Sequence, residues 1–182
     1  MRTFIAIDLP ENLKTKLSQI QKDLETDNLK FKWVEPDNIH LTLKFLGEID
    51  EDQLLEIKKV VAQTTDQIKT FELTAEGLGF FPNQKNPRIF LTNLKNSEPL
   101  RLLVTKLENN LTQLGFPIEN KFKAHLTLAR IKSQENIDLL IEKTKAIRLK
   151  ERFSVGKITI YKSNLTASGP IYTIIASSPL TD

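Results

Sequence analysis

Cysteine is absent from the 182 residues of this chain. Its absence removes disulfides, thiol nucleophiles and cysteine-ligated metals from consideration. Histidine is almost as scarce, with two residues, His40 and His125, and tryptophan and methionine occur once each. No segment approaches the roughly 18 consecutive apolar residues that a membrane span needs. The opening Met1-Arg2-Thr3-Phe4-Ile5-Ala6-Ile7-Asp8 is broken by Asp8, and it lacks the long apolar stretch and small-residue cleavage site of a secretory signal. A cytoplasmic protein with no membrane association is therefore expected. Neither sign of charge dominates: 26 Lys and Arg stand against 23 Asp and Glu, for a net charge of +3. That balance favours an anionic partner without identifying nucleic acid.

What is present is an ordinary foldable composition, 40% hydrophobic and 27% charged. The length suits one domain, residues 1–182, or one compact unit of two lobes sharing a cleft. Periodicity predicts strands at 2–7, 31–34, 40–45, 71–78, 88–92, 122–131, 153–162 and 171–177. Helices are expected at 11–25, 50–68, 97–114 and 134–146. Gly79 to Pro87 reads as a loop, and a turn is expected near Ser168-Gly169-Pro170. The order of elements indicates an α+β fold with antiparallel pairing. No linker or low-complexity stretch divides it.

Both histidines open the same tetrapeptide, His40-Leu41-Thr42-Leu43 and His125-Leu126-Thr127-Leu128. With this composition a given histidine has that sequel about once in 500, so a double occurrence argues for a duplicated, pseudo-symmetric lobe. The tripeptides are rich in β-formers, and side chains alternate along a strand. His40 and Thr42 then share one face, as do His125 and Thr127, while the leucines face the core.

A zinc site wants three or four protein ligands with carboxylates to orient them. Here there is no third histidine, no cysteine and no acidic residue at the alternating positions, so no metal and no cofactor are expected. Acid–base chemistry fits better. Unperturbed imidazoles titrate near 6.5, so one can be neutral while its partner is protonated. Such a pair can deprotonate a nucleophile and protonate a leaving group. The threonine hydroxyls can donate to phosphoryl oxygens.

Arg130 follows His125 at an odd offset and needs a strand end, twist or bulge to reach the same face. Phe45 follows His40 at the same odd offset. Parity assigns it to the core, with base stacking as the functional alternative. Trp33 is expected in core or rim packing. Phe80, Phe81, Lys85 and Arg88 combine aromatic and basic character in one loop. They suit either a nucleotide contact or an aromatic lid with solvated charges.

On these motifs the sequence resembles the 2H phosphoesterase superfamily and, within it, the RNA 2′,3′-cyclic phosphodiesterases, also called 2′-5′ RNA ligase-like proteins. The resemblance extends through Arg2–Pro10, Trp33–Glu48, Gly77–Pro82, Pro87-Arg88, Phe122–Arg130 and Tyr161-Lys162-Ser163. Ala124 departs from it, because a proline often precedes the second histidine in the family. The resemblance implies a two-lobed, pseudo-symmetric fold with antiparallel sheets, outer helices and a central groove. It also implies hydrolysis of a 2′,3′-cyclic phosphate at an RNA end to a 2′-phosphomonoester. His40 is then the proton donor and His125 the proton acceptor, and reversible 2′-5′ ligation is a side activity. Thr42 and Thr127 complete the expected catalytic set, Arg130, Phe45, Phe81 and Arg88 are the expected substrate-binding residues, and the protein is expected to be a monomer. The alternatives are an enzyme of the same superfamily acting on small cyclic nucleotides or 2′-5′ oligonucleotides, and a non-catalytic module that binds RNA ends.

Overall fold

A computed structural model describes residues 1–26, 30–95, 97–119, 122–167 and 169–182. Its elements are β1 (Arg2–Asp8), α1 (Glu11–Leu24), β2 (Phe31–Trp33), β3 (His40–Glu48), α2 (Glu51–Thr65), β4 (Phe71–Phe81), β5 (Ile89–Leu94), α3 (Glu98–Thr112), β6 (His125–Ile131), α4 (Ile137–Lys145), β7 (Lys150–Val155), β8 (Lys157–Leu165) and β9 (Pro170–Pro179). Local chemistry sets the helix starts. Asp50 accepts the backbone N–H of Gln53 at 2.8 Å, and the Gln53 side chain accepts from the Asp50 backbone, closing a capping box. Ser97 caps α3 by accepting from Leu100, with Pro99 in the first turn.

The strands form two antiparallel sheets, ordered β3-β1-β8-β9 and β2-β6-β5-β4-β7. The first carries His40 and the second His125. Their inner faces meet one continuous core, in which Ile5, Leu41 and Leu43 join Phe90, Leu126 and Leu128, with Leu17, Leu103 and Leu107 from the helices. Leucines of each tetrapeptide thus face inward, as alternation requires. Gln21 of α1 donates its amide to the carbonyls of Val34 and Leu128, at 2.8 and 2.9 Å. This buried bond fixes α1 to the second sheet beside the tetrapeptide strand.

Three segments differ from the sequence expectation. The stretch expected as one strand over 153–162 is two, divided at Gly156. β7 pairs with β4 in one sheet and β8 with β1 and β9 in the other. Periodicity cannot register a chain that changes sheets. β4 continues through Gly79 to Phe81, where a loop was expected. Gly77, at φ +72, absorbs a register shift that lets pairing with β5 resume. β6 begins at His125 rather than Phe122, since the Lys123 carbonyl is taken by the His125 ring instead of a neighbouring strand. Of the expected turn at 168–170, Ser168 lies outside the described residues. Thr166 and Gly169 close that hairpin with paired backbone hydrogen bonds of 2.9 and 3.2 Å.

Candidate active site

Each tetrapeptide strand contains a bulge at its fourth residue. In the β1–β3 ladder Ala6 pairs with Thr42 and Ile5 with Lys44, leaving Leu43 as the extra residue. In the β5–β6 ladder Leu91 pairs with Thr127 and Phe90 with Ala129, leaving Leu128 extra. A bulge reverses the parity of everything after it. Leu43 and Lys44 are therefore both buried, as are Leu128 and Ala129. The residue at offset five comes back to the histidine face. Arg130 thus joins His125 and Thr127. Phe45, expected in the core, instead joins His40 and Thr42 with 60% of its surface exposed.

The two rings are oriented alike. Nδ1 of His40 lies 2.8 Å from the carbonyl of Asn38, and Nδ1 of His125 lies 2.7 Å from that of Lys123. A carbonyl only accepts, so Nδ1 carries the proton in both, and in a neutral ring Nε2 is the open base. For His40 that Nε2 stands 3.0 Å from the Thr42 hydroxyl, which donates to it when the ring is neutral.

Surroundings separate them. His40 stacks on Phe4 at 4.8 Å and meets the edge of Tyr172 at 5.3 Å, with Tyr161 at 6.3 Å. Burial pushes its imidazole below the ordinary value, against opposite pulls from the Asn38 carbonyl and the Asp8 carboxylate. Asp8 is held by the hydroxyls of Tyr161 at 2.5 Å and Thr159 at 2.7 Å. Burial, then that hydrogen bond, raises the Tyr161 phenol well above its usual range. Asp8, Tyr161 and His40 line a cavity of about 660 Å³ on one side of the His40 ring.

On the other side lies a groove of about 860 Å³ between the sheets. His40, Thr42, His125 and Thr127 all line it, with Arg130 and Phe45. Trp33 is part of its rim and packs edge-on to Phe31 and Phe90. Lys32, Arg2 and Tyr172 also line it, and parity within the tetrapeptides could not reveal them, because they come from β2, β1 and β9. Phe4 was equally hidden: it reads as a core strand residue, yet it is the ring on which His40, Phe45, Tyr161 and Tyr172 all pack. Phe81 and Arg88 stand beyond the groove where β4 ends and β5 begins, and they do not line it. Among the described residues no group of three His, Asp or Glu side chains converges to hold a metal ion.

The sequence matches the LigT like Phosphoesterase family over residues 7–91 and 94–172, two consecutive segments that each contain one tetrapeptide. The chain belongs to that family. A LigT-like relative from Thermotoga maritima, an RNA 2′,3′-cyclic phosphodiesterase, is 36% identical over 176 residues, 96% of this chain and 93% of the relative. One of the same name from Methanothermobacter thermautotrophicus is 36% identical across 95% of both chains. Among solved structures, a Thermus thermophilus protein superposes with a TM-score of 0.84 at 27% identity, over 99% of this chain and 98% of that one. Escherichia coli LigT shares the fold, with a TM-score of 0.79 at 22% identity over 100% and 98% of the two chains. Among its described residues the chain is thus an α+β fold of two antiparallel sheets with four α-helices. No helix among the described residues is long and apolar enough to cross a membrane.

Proposed function

We propose that this chain hydrolyses the 2′,3′-cyclic phosphate at an RNA 3′ end to a 2′-phosphomonoester, by acid–base catalysis that needs no metal. The observation that carries the reading is the convergence of both His-Thr pairs and Arg130 on one groove. Relatives named for that activity, at 36% identity across nearly the whole chain, support it.

The reaction follows from the groups. Nε2 of His125, unprotonated while Nδ1 donates to Lys123, takes a proton from water as the oxygen attacks phosphorus. His40 gives its proton to the departing 3′ oxygen, and the phosphate remains on the 2′ oxygen. This assignment of roles comes from the family resemblance, since the local geometry of the rings is nearly symmetric. Burial favours neutral His40 in the free enzyme, so the bound phosphate anion has to raise its proton affinity. Thr42, Thr127 and Arg130 donate to the non-bridging oxygens, whose charge grows in the transition state. Phe45 offers its exposed face to the base. Phe81 and Arg88 meet only a longer RNA. A 5′-hydroxyl in place of water would give a 2′-5′ linkage by the same path.

Residues 1–182 act as one catalytic unit, because each sheet supplies one His-Thr pair over a shared core. A monomer suffices for that site, and the lack of cysteine suits the cytoplasm. Incubation with a cyclic-ended oligonucleotide in EDTA, with the product phosphate located, tests the reading. A 2′-phosphate is expected. Tight binding without turnover would leave an RNA-end-binding module, and turnover confined to cyclic mononucleotides would move the substrate to that class.

A further inference from the structure

β1 runs along the groove beside β3, and its pairing orders the residues there. Ala6 pairs with Thr42, Phe4 with Phe45, Thr3 with Gly47 and Arg2 with Glu48. Phe45 therefore lies between the Thr42 end, where the cyclic phosphate reacts, and the Arg2 end. Arg2 is exposed and lines the same groove as both His-Thr pairs. It is two residues from Phe4 and so shares the face on which the rings of His40, Phe45 and Tyr172 pack. Its cross-strand neighbour Glu48 is the natural ion partner, but Glu48 pairs with the N-terminal ammonium at 3.2 Å. Among the described residues the Arg2 side chain makes no ion pair and no hydrogen bond. Beside it, Gly47 would meet nothing within 4 Å even with a Cβ, so the space next to Phe45 is open. Arg2 is four positions from Ala6, ~13 Å of extended strand. Arg130 lines the same groove from the strand of Thr127. Both guanidiniums act on the Tyr172 hydroxyl, whose ionisation burial otherwise disfavours.

We infer that Arg2 takes the phosphate on the 5′ side of the terminal nucleotide, so that the enzyme selects a cyclic end that continues into a phosphorylated chain over a bare cyclic nucleoside. The inference rests on the hydrolase reading above. The cyclic phosphate lies at the His-Thr pairs, the terminal base on Phe45, and the next phosphate at Arg2. A guanidinium without a carboxylate partner is suited to that anion by charge and by its forked donors.

The test compares kcat/KM for adenosine 2′,3′-cyclic phosphate with that for the same compound bearing a 5′-phosphate, in Arg2→Gln, Arg2→Lys and the unaltered enzyme. The 5′-phosphate is expected to raise kcat/KM roughly tenfold, the scale of one charged hydrogen bond at an accessible site. Arg2→Gln brings the ratio toward one, and Arg2→Lys keeps part of it. Arg130→Gln slows both substrates alike and preserves the ratio. A ratio near one in the unaltered enzyme overturns the inference. So does a ratio that Arg2→Gln leaves intact while both rates fall together, which would place Arg2 on the cyclic phosphate itself. Turnover of neither compound, nor of a cyclic-ended oligonucleotide, overturns the hydrolase reading and this inference with it.

Discussion

In β3 the imidazole of His40 is packed by Phe4, Tyr161 and Tyr172 and bonded to Thr42; in β6 no aromatic ring among the described residues packs on His125. The backbones around them are nearly the same. Each ring donates Nδ1–H to the carbonyl two residues earlier, and each strand bulges at the fourth residue of its tetrapeptide. Local sequence therefore sets the orientation of the two rings, while the neighbouring strands set the burial that pushes the His40 imidazole below its ordinary value. The residues after the bulge diverge as well. β3 follows with buried Lys44 and exposed Phe45, β6 with buried Ala129 and exposed Arg130. One strand thus presents an aromatic face, suited to a base, and the other a cation, suited to a phosphate.

If the two strands supply acid and base to one step, removal of either ring should cost comparably. His40→Ala and His125→Ala are each expected to lower kcat by about 10²–10⁴-fold on cyclic-ended RNA. The double variant should be little worse than either single one, since groups acting as a unit do not add. Initial rates check this. Retained activity in His125→Ala would mean that the open strand is not catalytic, and the comparison would lose its basis.

The buried positions after the bulges differ most in stability. Lys44, 2% exposed, bonds Glu108 at 3.3 Å, Glu119 at 3.1 Å and the carbonyl of Pro117 at 2.5 Å. It ties β3 to the segment that leads toward β6. Ala129, its counterpart, makes no polar demand. Lys44→Met leaves the buried Glu108 carboxylate without its cation, which is expected to cost about 3 kcal/mol in denaturant unfolding. A loss below about 1 kcal/mol would show that water or rearrangement neutralises Glu108 without the lysine.

The exposed positions should differ in kinetic signature. Arg130→Gln removes charge from oxygens that gain charge in the transition state, so kcat should fall, by roughly 30-fold. Phe45→Ala removes a stacking surface used equally before and during reaction. It should raise KM by roughly tenfold and leave kcat nearly unchanged. Steady-state kinetics separate the two, and a kcat effect at Phe45 would place it against the reacting centre.

The inward pairing of His40 with Thr42 and of His125 with Thr127 was legible in the sequence, because alternation needs only that a strand exist. The class of fold was legible for a similar reason, since Leu13, Leu17 and Leu103 mark helix faces by spacing alone. Phe45 was not legible. Its face depends on a bulge defined by the pairing of β3 with β1, which the sequence of β3 does not contain. Phe4, Tyr161 and Tyr172 were hidden likewise: they meet His40 because β1, β8 and β9 are neighbours in one sheet. The change of sheet at Gly156 creates that neighbourhood, and hydrophobic periodicity runs through it without a break.

The smallest expected effect bears most directly on the difference between the two rings. Burial lowers the His40 titration below 6.5, while the Asn38 carbonyl and the Asp8 carboxylate pull it back. The other charged or titratable groups around the cavity on that side are Lys14, Asp37, Lys157, Tyr161 and Tyr172, with Arg2, Lys32, Glu35, His125 and Arg130 on the groove side. kcat/KM reports the free enzyme. As the proton donor, His40 must be charged there, so kcat/KM should fall as pH rises through this lowered value. kcat reports the complex, in which the bound phosphate raises the same group, so its falling limb should lie at higher pH. Asp8→Asn removes a raising pull and should move the kcat/KM limb to lower pH. In a His125→Asn variant the remaining imidazole can be followed directly by NMR and matched to that limb. If kcat/KM instead rises through the His40 titration, His40 works as the base, and the acid and base exchange strands.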